Sequence, residues 1–221
     1  MSAPSSPPAA VLFDLDGTLC DSEAGIVEHL AAAHATVGLP VPSRPVLRGC
    51  VGPPWFESLP AIGVPPDQVE PLITAYRATY DAAAPDLAVP FPGVADALGR
   101  LHGAGVALAV ATSKPQHLAT RIVVEGPLGR WFEEVVGADP AAGRHTKADV
   151  VGAVLARLGG LDATAVVMVG DRLHDVHGAA AHGVATVGVG WGCAEPGELE
   201  EAGALEVVES PEALVALLLG P

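Results

Sequence analysis

The stretch Val11-Leu12-Phe13-Asp14-Leu15-Asp16-Gly17-Thr18-Leu19 carries a short apolar run into two carboxylates, two residues apart, and then into a glycine. Ala10 to Phe13 reads as a buried strand, and Gly17 and Thr18 as the turn that leaves it. A period of two sends the side chains of Asp14 and Asp16 roughly the same way at the strand's end. Carboxylates that close repel, so they need a cation, a shared proton or good solvation. In an open α/β sheet the crevice beyond the carboxyl ends of the strands is where ligands bind. A solvated Asp-Gly turn after a buried strand has the same local spacing, so the rest of the chain decides between the two readings.

Outward from that strand, the chain of 221 residues suits one large domain, or one domain with a modest insertion. Half of it is apolar, while aromatics are only 4%, so alanine, valine and leucine must build the core. The formal charge of −15 argues against a nucleic acid polymer or an anionic membrane as partner, and requires a local positive site for any anionic substrate. Cys20, Cys50 and Cys193 are odd in number and widely spaced, which suits a reduced cytoplasmic protein without a disulfide framework or zinc site. Met1 to Ala10 reads as a disordered lead-in, and the apolar run Ala213 to Leu219 is too short to span a bilayer.

From about Cys20 to Pro90 the pattern is helical, without convincing strands. Ser22 is placed to cap a helix running to about Val37, a Pro-rich passage covers Pro40 to Pro54, a short helical piece surrounds Trp55 to Leu59, and a longer helix runs from about Pro66 to Ala84. From Val94 onward helices alternate with apolar runs. Strands are expected at Val106–Ala111, Phe132–Val136, Val166–Val169, Ala185–Val189 and Leu205–Val208. Helices are expected at Val94–His102, Pro115–Glu125, Thr146–Leu158 and Asp175–His182, then after Pro196 and after Ser210. This alternation predicts an α/β fold: a doubly wound parallel sheet with an inserted α-helical segment. The core is expected over 1–19 and 91–221, and the insertion over 20–90.

If the sheet is parallel, its carboxyl ends bring together Asp14 and Asp16, the run Thr112-Ser113-Lys114, and Gly170-Asp171-Arg172-Leu173-His174-Asp175, with Lys147 at a helix start. Lys114 and Lys147 are the only lysines in the chain, and both fall at these points. Carboxylates, hydroxyls and a compact ammonium around one point fit phosphoryl chemistry. Mg²⁺ takes oxygen ligands, which Asp14 and Asp171 can supply, and Asp171 and Asp175 are four apart at a helix start, so both can face a metal. A carboxylate can attack phosphorus and a second can protonate the leaving oxygen. Thr112 and the amides after it can hold phosphate oxygens, and Lys147 can neutralise charge on the group in transfer.

Asp14-Leu15-Asp16-Gly17-Thr18, Thr112, Lys147 and Gly170-Asp171-x-x-x-Asp175, in that order and over nearly the whole chain, resemble the haloacid dehalogenase superfamily of phosphatases. The resemblance implies that Asp14 is the nucleophile and Asp16 the general acid and base, whose main-chain carbonyl also ligates Mg²⁺. It further implies that Thr112 holds phosphate, Lys147 steadies the nucleophile, Asp171 ligates the metal and Asp175 supports it. The helical insertion becomes a cap over a Rossmann-like core. Asp16 favours hydrolysis of a phosphomonoester over dehalogenation or P-type ATPase chemistry, and the absence of lysine from 20–90 argues against a phosphonoacetaldehyde hydrolase. A phosphosugar mutase related to β-phosphoglucomutase is left open, as is a non-catalytic regulatory protein, which the intact set disfavours.

Asp21-Ser22-Glu23-Ala24-Gly25-Ile26 and Val51-Gly52-Pro53-Pro54 look like the phosphoglycolate-phosphatase-like branch and its 5′-nucleotidase-like members. The expected substrate is therefore a small phosphorylated metabolite, handled by a monomer or homodimer. Gly17, Ser113, Lys114 and Arg48 are the expected substrate contacts, with Arg44 or Arg48 placed to meet a second anionic group. His174, His177 and His182 have no zinc spacing and read as exposed helix positions. His145 reads as a loop residue, and Tyr76 and Tyr80, at helical spacing, as core of the insertion.

Overall fold

The computed structural model describes residues 7–220. Strand β1 (Ala10–Phe13) turns into a two-residue strand, β2 (Cys20–Asp21). Four helices follow, α1 (Glu23–Thr36), α2 (Arg44–Arg48), α3 (Trp55–Ala61) and α4 (Pro66–Leu87), and then β3 (Val89–Pro90). Helices and strands then alternate: α5 (Val94–Gly103), β4 (Ala107–Pro115), α6 (Gln116–Val124), β5 (Glu134–Ala138), α7 (Lys147–Arg157), β6 (Val166–Gly170), α8 (Leu173–Ala180), β7 (Ala185–Val189), α9 (Glu198–Ala202), β8 (Glu206–Val208) and α10 (Pro211–Leu219).

Six strands form one parallel sheet in the order β5-β4-β1-β6-β7-β8. The chain leaves β1 toward β4 on one side and β6 on the other, so the end of β1 lies at the switch point, where an open sheet leaves a crevice. Alternate residues feed two separate apolar clusters. Val11, Phe13, Leu108, Val110, Val167 and Val169 face one way, and Ala10, Leu12, Ala109, Ala111, Val166 and Met168 the other. Both faces are covered, the second by Val150, Val151 and Val154 of α7, the first by residues such as Leu98 of α5 and Val215 of α10. That is why these strands read as unbroken apolar runs rather than as alternation.

Several boundaries differ from the sequence reading. The 20–90 region does contain strands: β2 and β3 pair antiparallel, Cys20 with Pro90 and Asp21 with Val89, and tie together the two ends of the helical segment. Strands of two residues leave no periodicity to read. The Pro-rich passage holds α2, with Pro45 in its first turn, where a missing N–H costs nothing. Helix α4 runs through Pro85 to Leu87. Strand β4 continues to Pro115, with its register to β5 shifted between Ala111 and Pro115, so Pro115 ends a strand instead of opening a helix. Strand β5 sits two residues later than expected, because Gly129–Trp131 forms a turn of 3₁₀ helix and Phe132 follows it. The end of the expected disordered lead-in is ordered: Ala10 belongs to β1, and the Ala9 N–H donates to the Ala165 carbonyl at 2.7 Å. The remainder of that lead-in, 1–6, lies outside the described residues. Among the described residues, no helix is long and apolar enough to cross a membrane.

Candidate active site

Asp14 is the first residue past β1. Its amide donates to the Val169 carbonyl at 2.9 Å, so the β1–β6 ladder fixes its backbone. Asp171, one residue past β6, and Asp175, in the first turn of α8, converge on it. One oxygen from each of the three carboxylates lies within 4.8 Å of the others, and all three residues are buried. Lys147 completes the group, with its Nζ 2.8 Å from Asp14 Oδ1 and 2.7 Å from Asp175 Oδ1. Lysine at the first position of a helix opposes the macrodipole. Here α7 is held by a capping box between Thr146 and Asp149, while the lysine stem packs where Gly178 leaves room, since a Cβ there would come within 2.7 Å of Lys147 Cγ.

The acids are braced from outside. Asp171 accepts from Thr18 Oγ1 at 3.2 Å and from the Cys193 amide at 2.8 Å. Asp175 Oδ2 accepts from the Arg172 amide at 3.1 Å. Gly17, at φ +83°, is required twice: an L side chain disfavours that backbone conformation, and a Cβ would run into the Asp171 carboxylate. Gly17, expected as a substrate contact, packs against the Asp171 carboxylate.

Three buried carboxylates face one ammonium, and burial, with their mutual repulsion added to it, raises two of the three carboxyls. Burial, with Asp175 adding to it against the pull of Lys147, pushes the Asp14 carboxyl up to about 6. Asp171 is also raised well above the ordinary carboxylate range, by burial and then by Asp175 and Asp14. Burial works against the Lys147 charge, yet Asp14 and Asp175 outweigh it and hold this ammonium above the usual lysine value. Asp14 Oδ1 is buried, with Lys147 Nζ 2.8 Å away. An all-oxygen donor set with surplus negative charge fits Mg²⁺.

Asp16 occupies a different setting. Lys114 Nζ reaches both its oxygens, Oδ1 at 2.9 Å and Oδ2 at 2.8 Å, and Ser22 Oγ also donates to Oδ1. The same ammonium lies 3.0 Å from the Tyr80 hydroxyl on α4. Ser22 therefore does not cap α1 with its side chain as expected; its hydroxyl is committed to Asp16. The Asp16 carboxylate is not part of the Asp14–Asp171–Asp175 group, and its expected metal contact was through the main-chain carbonyl. Lys114, expected at the substrate, is a buried partner of Asp16.

Thr112 and Ser113 line the same cavity as Asp14 and Asp16, a space of about 580 Å³ between the strand ends and the helical segment. They fall where β4 loses register with β5, and such irregularities re-aim side chains. Arg48 is not brought there. Its guanidinium lies 2.9 Å from Glu23 Oε2 and 3.4 Å from the Gly192 carbonyl, and Arg44 pairs with Glu23 at 3.4 Å. His145 lines the cavity. Sequence reasoning missed Tyr80 and Ser22 at Asp16, and Thr18 and the Cys193 amide at Asp171. Only Ser22 and Thr18, both close to the first motif, offered a signal.

The family model for haloacid dehalogenase-like hydrolases matches residues 11–189. The chain belongs to that family. It is 46% identical over 191 residues to the tyrosine-protein kinase PtkA of Mycobacterium tuberculosis, covering 86% of this chain and 65% of that protein. Thus it spans about two thirds of the length of that relative. It is 37% identical over 225 residues to a phosphoglycolate phosphatase of Caulobacter vibrioides, covering 95% of this chain and 92% of the other. The solved structure of a predicted phosphatase from Clostridium acetobutylicum superposes with a TM-score of 0.88 at 31% identity, covering 95% of this chain and 97% of that one.

Proposed function

We propose that the protein is a Mg²⁺-dependent hydrolase of phosphomonoesters that works through an aspartyl-phosphate on Asp14. The observation that carries this reading is the placement of buried Asp14, Asp171 and Asp175 around Lys147, with Asp16 and Thr112 beside them on one cavity. Asp14, Asp171 and Asp175 would hold the cation, which when bound offsets charge on the phosphoryl oxygens. The Asp14 carboxylate attacks phosphorus while the ester oxygen leaves and takes a proton from Asp16. Asp16 then accepts a proton from water as that water attacks the aspartyl-phosphate, releasing phosphate and restoring Asp14. Lys147 holds the nucleophile in place, and Thr112 and Ser113 bind phosphate oxygens. Lys114 engages both Asp16 oxygens and Ser22 shares Oδ1, so proton transfer requires Lys114 to release Oδ2, or Lys114 and Ser22 together to release Oδ1. The helical segment 20–90 serves as a cap that excludes water from the crevice while these contacts rearrange.

Phosphate release with Mg²⁺, its loss in EDTA, and its loss in Asp14→Asn test the reading. Isomerisation of sugar phosphates without phosphate release would favour the mutase instead. The likeness to PtkA supports a second reading, in which the phosphoryl group passes to a tyrosine and not to water. Transfer of label from γ-labelled ATP to tyrosine, abolished in Asp14→Asn, would establish it. The phosphoglycolate phosphatase relative supports a small phosphorylated metabolite as substrate.

A further inference from the structure

The reaction proposed above uses the phosphoryl end of the cavity and leaves its aromatic lining without a role. The chain contains 3 Trp, 2 Tyr and 4 Phe, yet both tyrosines, Trp55 and Phe56 stand round this one cavity. Trp55 meets Tyr76 edge-on, ring centroids 4.3 Å apart, and Tyr76 stacks on Tyr80 at 4.6 Å. The Trp55 indole N–H donates to the Cys50 carbonyl at 2.9 Å, and the Tyr80 hydroxyl is taken by Lys114, so these rings are fixed in orientation. Phe56 lines the same space and is 63% exposed.

Charge narrows what such a cavity accepts. Of the cations in the lining, Lys114 is committed to Asp16, and Arg144 is committed to Asp139, Gln116 and the Gly137 carbonyl. Arg77 is exposed and shares the lining with Glu57 and Asp81. Arg44 and Arg48 are held by Glu23 and do not line it. Among the described residues, then, no buried, uncommitted cation awaits a second anionic group. A phosphate joined to a short carboxylic acid would leave the aromatic wall unused and bring its carboxylate toward the acidic side chains.

We infer that the cavity is built for a monophosphate ester whose alcohol carries a planar, uncharged ring, with the phosphate at Asp14 and the ring against Trp55 and Phe56. This rests on the hydrolase reading for the position of the phosphate. A nucleoside 5′-monophosphate and an aryl phosphate share this chemistry, and separate arms of the test distinguish them.

The experiment compares kcat/KM with Mg²⁺ for AMP, phenyl phosphate, phosphoglycolate and glycerol 3-phosphate. In parallel, quenching of tryptophan fluorescence by adenosine and by phenol reports binding without chemistry. At least one ring-bearing ester is expected to exceed both ring-free ones by about tenfold or more, the scale of one base–aromatic stack. The faster of AMP and phenyl phosphate identifies the ring. Phe56→Ala, at an exposed position that does not threaten folding, and Trp55→Leu should each lower the ratio of ring-bearing to ring-free kcat/KM by about fivefold to tenfold. Faster hydrolysis of phosphoglycolate, lost in Arg77→Gln and unaccompanied by quenching, overturns the ring site and leaves the hydrolase reading standing. An unchanged ratio in both aromatic variants also overturns it. No phosphate from any ester, with quenching by adenosine or phenol intact in wild type and lost in Trp55→Leu, overturns the hydrolase reading and leaves the ring site standing.

Discussion

Asp14 and Asp16 are two residues apart, and their surroundings are built from different parts of the molecule. Asp14 is enclosed by Asp171, Asp175 and Lys147, all from strand ends and helix starts around the parallel sheet. Asp16 is held by Lys114 from β4 but also by Ser22, at the start of the helical segment, and, through Lys114, by Tyr80 of α4. The first group is set by sheet register and is preorganised. The second depends on how the helical segment sits over the sheet. A nucleophile and metal ligand need fixed geometry, whereas an acid–base group must exchange partners during turnover.

The strongest way to break this contrast is Asp14→Asn. It is expected to lower phosphate release by more than about 10³-fold with the fold intact by circular dichroism. Comparable turnover in the variant would remove Asp14 from the chemistry.

Lys147→Met tests whether the Asp14 group is as tightly coupled as its distances indicate. It leaves buried carboxylates without their ammonium and should cost about 3–5 kcal/mol in unfolding free energy. Mg²⁺ should recover part of that loss in denaturant titrations. An unaltered midpoint would mean that the ion pair carries no stability.

The pH response sharpens the same side of the comparison. Asp14 holds its proton up to about 6 when folded, against 3.8 as a free carboxyl. Between those values the folded state binds more protons than the unfolded one, so stability falls as pH rises through that window. The stability difference between metal-free wild type and Asp14→Asn reports this group together with Asp171, whose carboxyl Asp14 also raises, and it should move against the wild type by about 2 kcal/mol from pH 4 to pH 6. A difference that is flat across the window would contradict the burial argument.

On the Asp16 side, Tyr80→Phe removes one partner of Lys114 while leaving Asp16 itself paired. Its expected cost is about 1–2 kcal/mol of stability, with kcat changing more than KM. A larger loss of stability than in Lys147→Met would reverse the ranking of the two groups. The smallest effect is expected from Thr146→Ala, which opens the capping box ahead of Lys147 and should cost about 1 kcal/mol by thermal unfolding.

Legibility follows the same division. The strands β1, β4 and β6 were readable because burial on both faces requires unbroken apolar runs, and each run ends at a chemically distinct motif. Given a parallel sheet, Asp14, Asp171, Asp175 and Lys147 had to meet. Pairs such as Tyr80 with Lys114 join the helical segment to the sheet, and no local pattern encodes that segment's tilt. Tyr80 at helical spacing looks like any core residue, and its hydroxyl's role depends on where α4 comes to rest. Arg48 shows the converse: a cation near a Gly-Pro-Pro loop suggested an anion contact, but Glu23, one helix earlier, already holds it.

By itself, then, the sequence determined the α/β class, the helical insertion, and the identities of the residues at the strand ends, because hydrophobic periodicity and strand direction are local properties summed along the chain. Only the tertiary structure decided that Gly17 shelters Asp171, that Ser22 and Lys114 hold Asp16, and that four aromatic residues gather round one cavity. Those contacts join distant parts of the chain, and their formation depends on packing distances that no single segment carries.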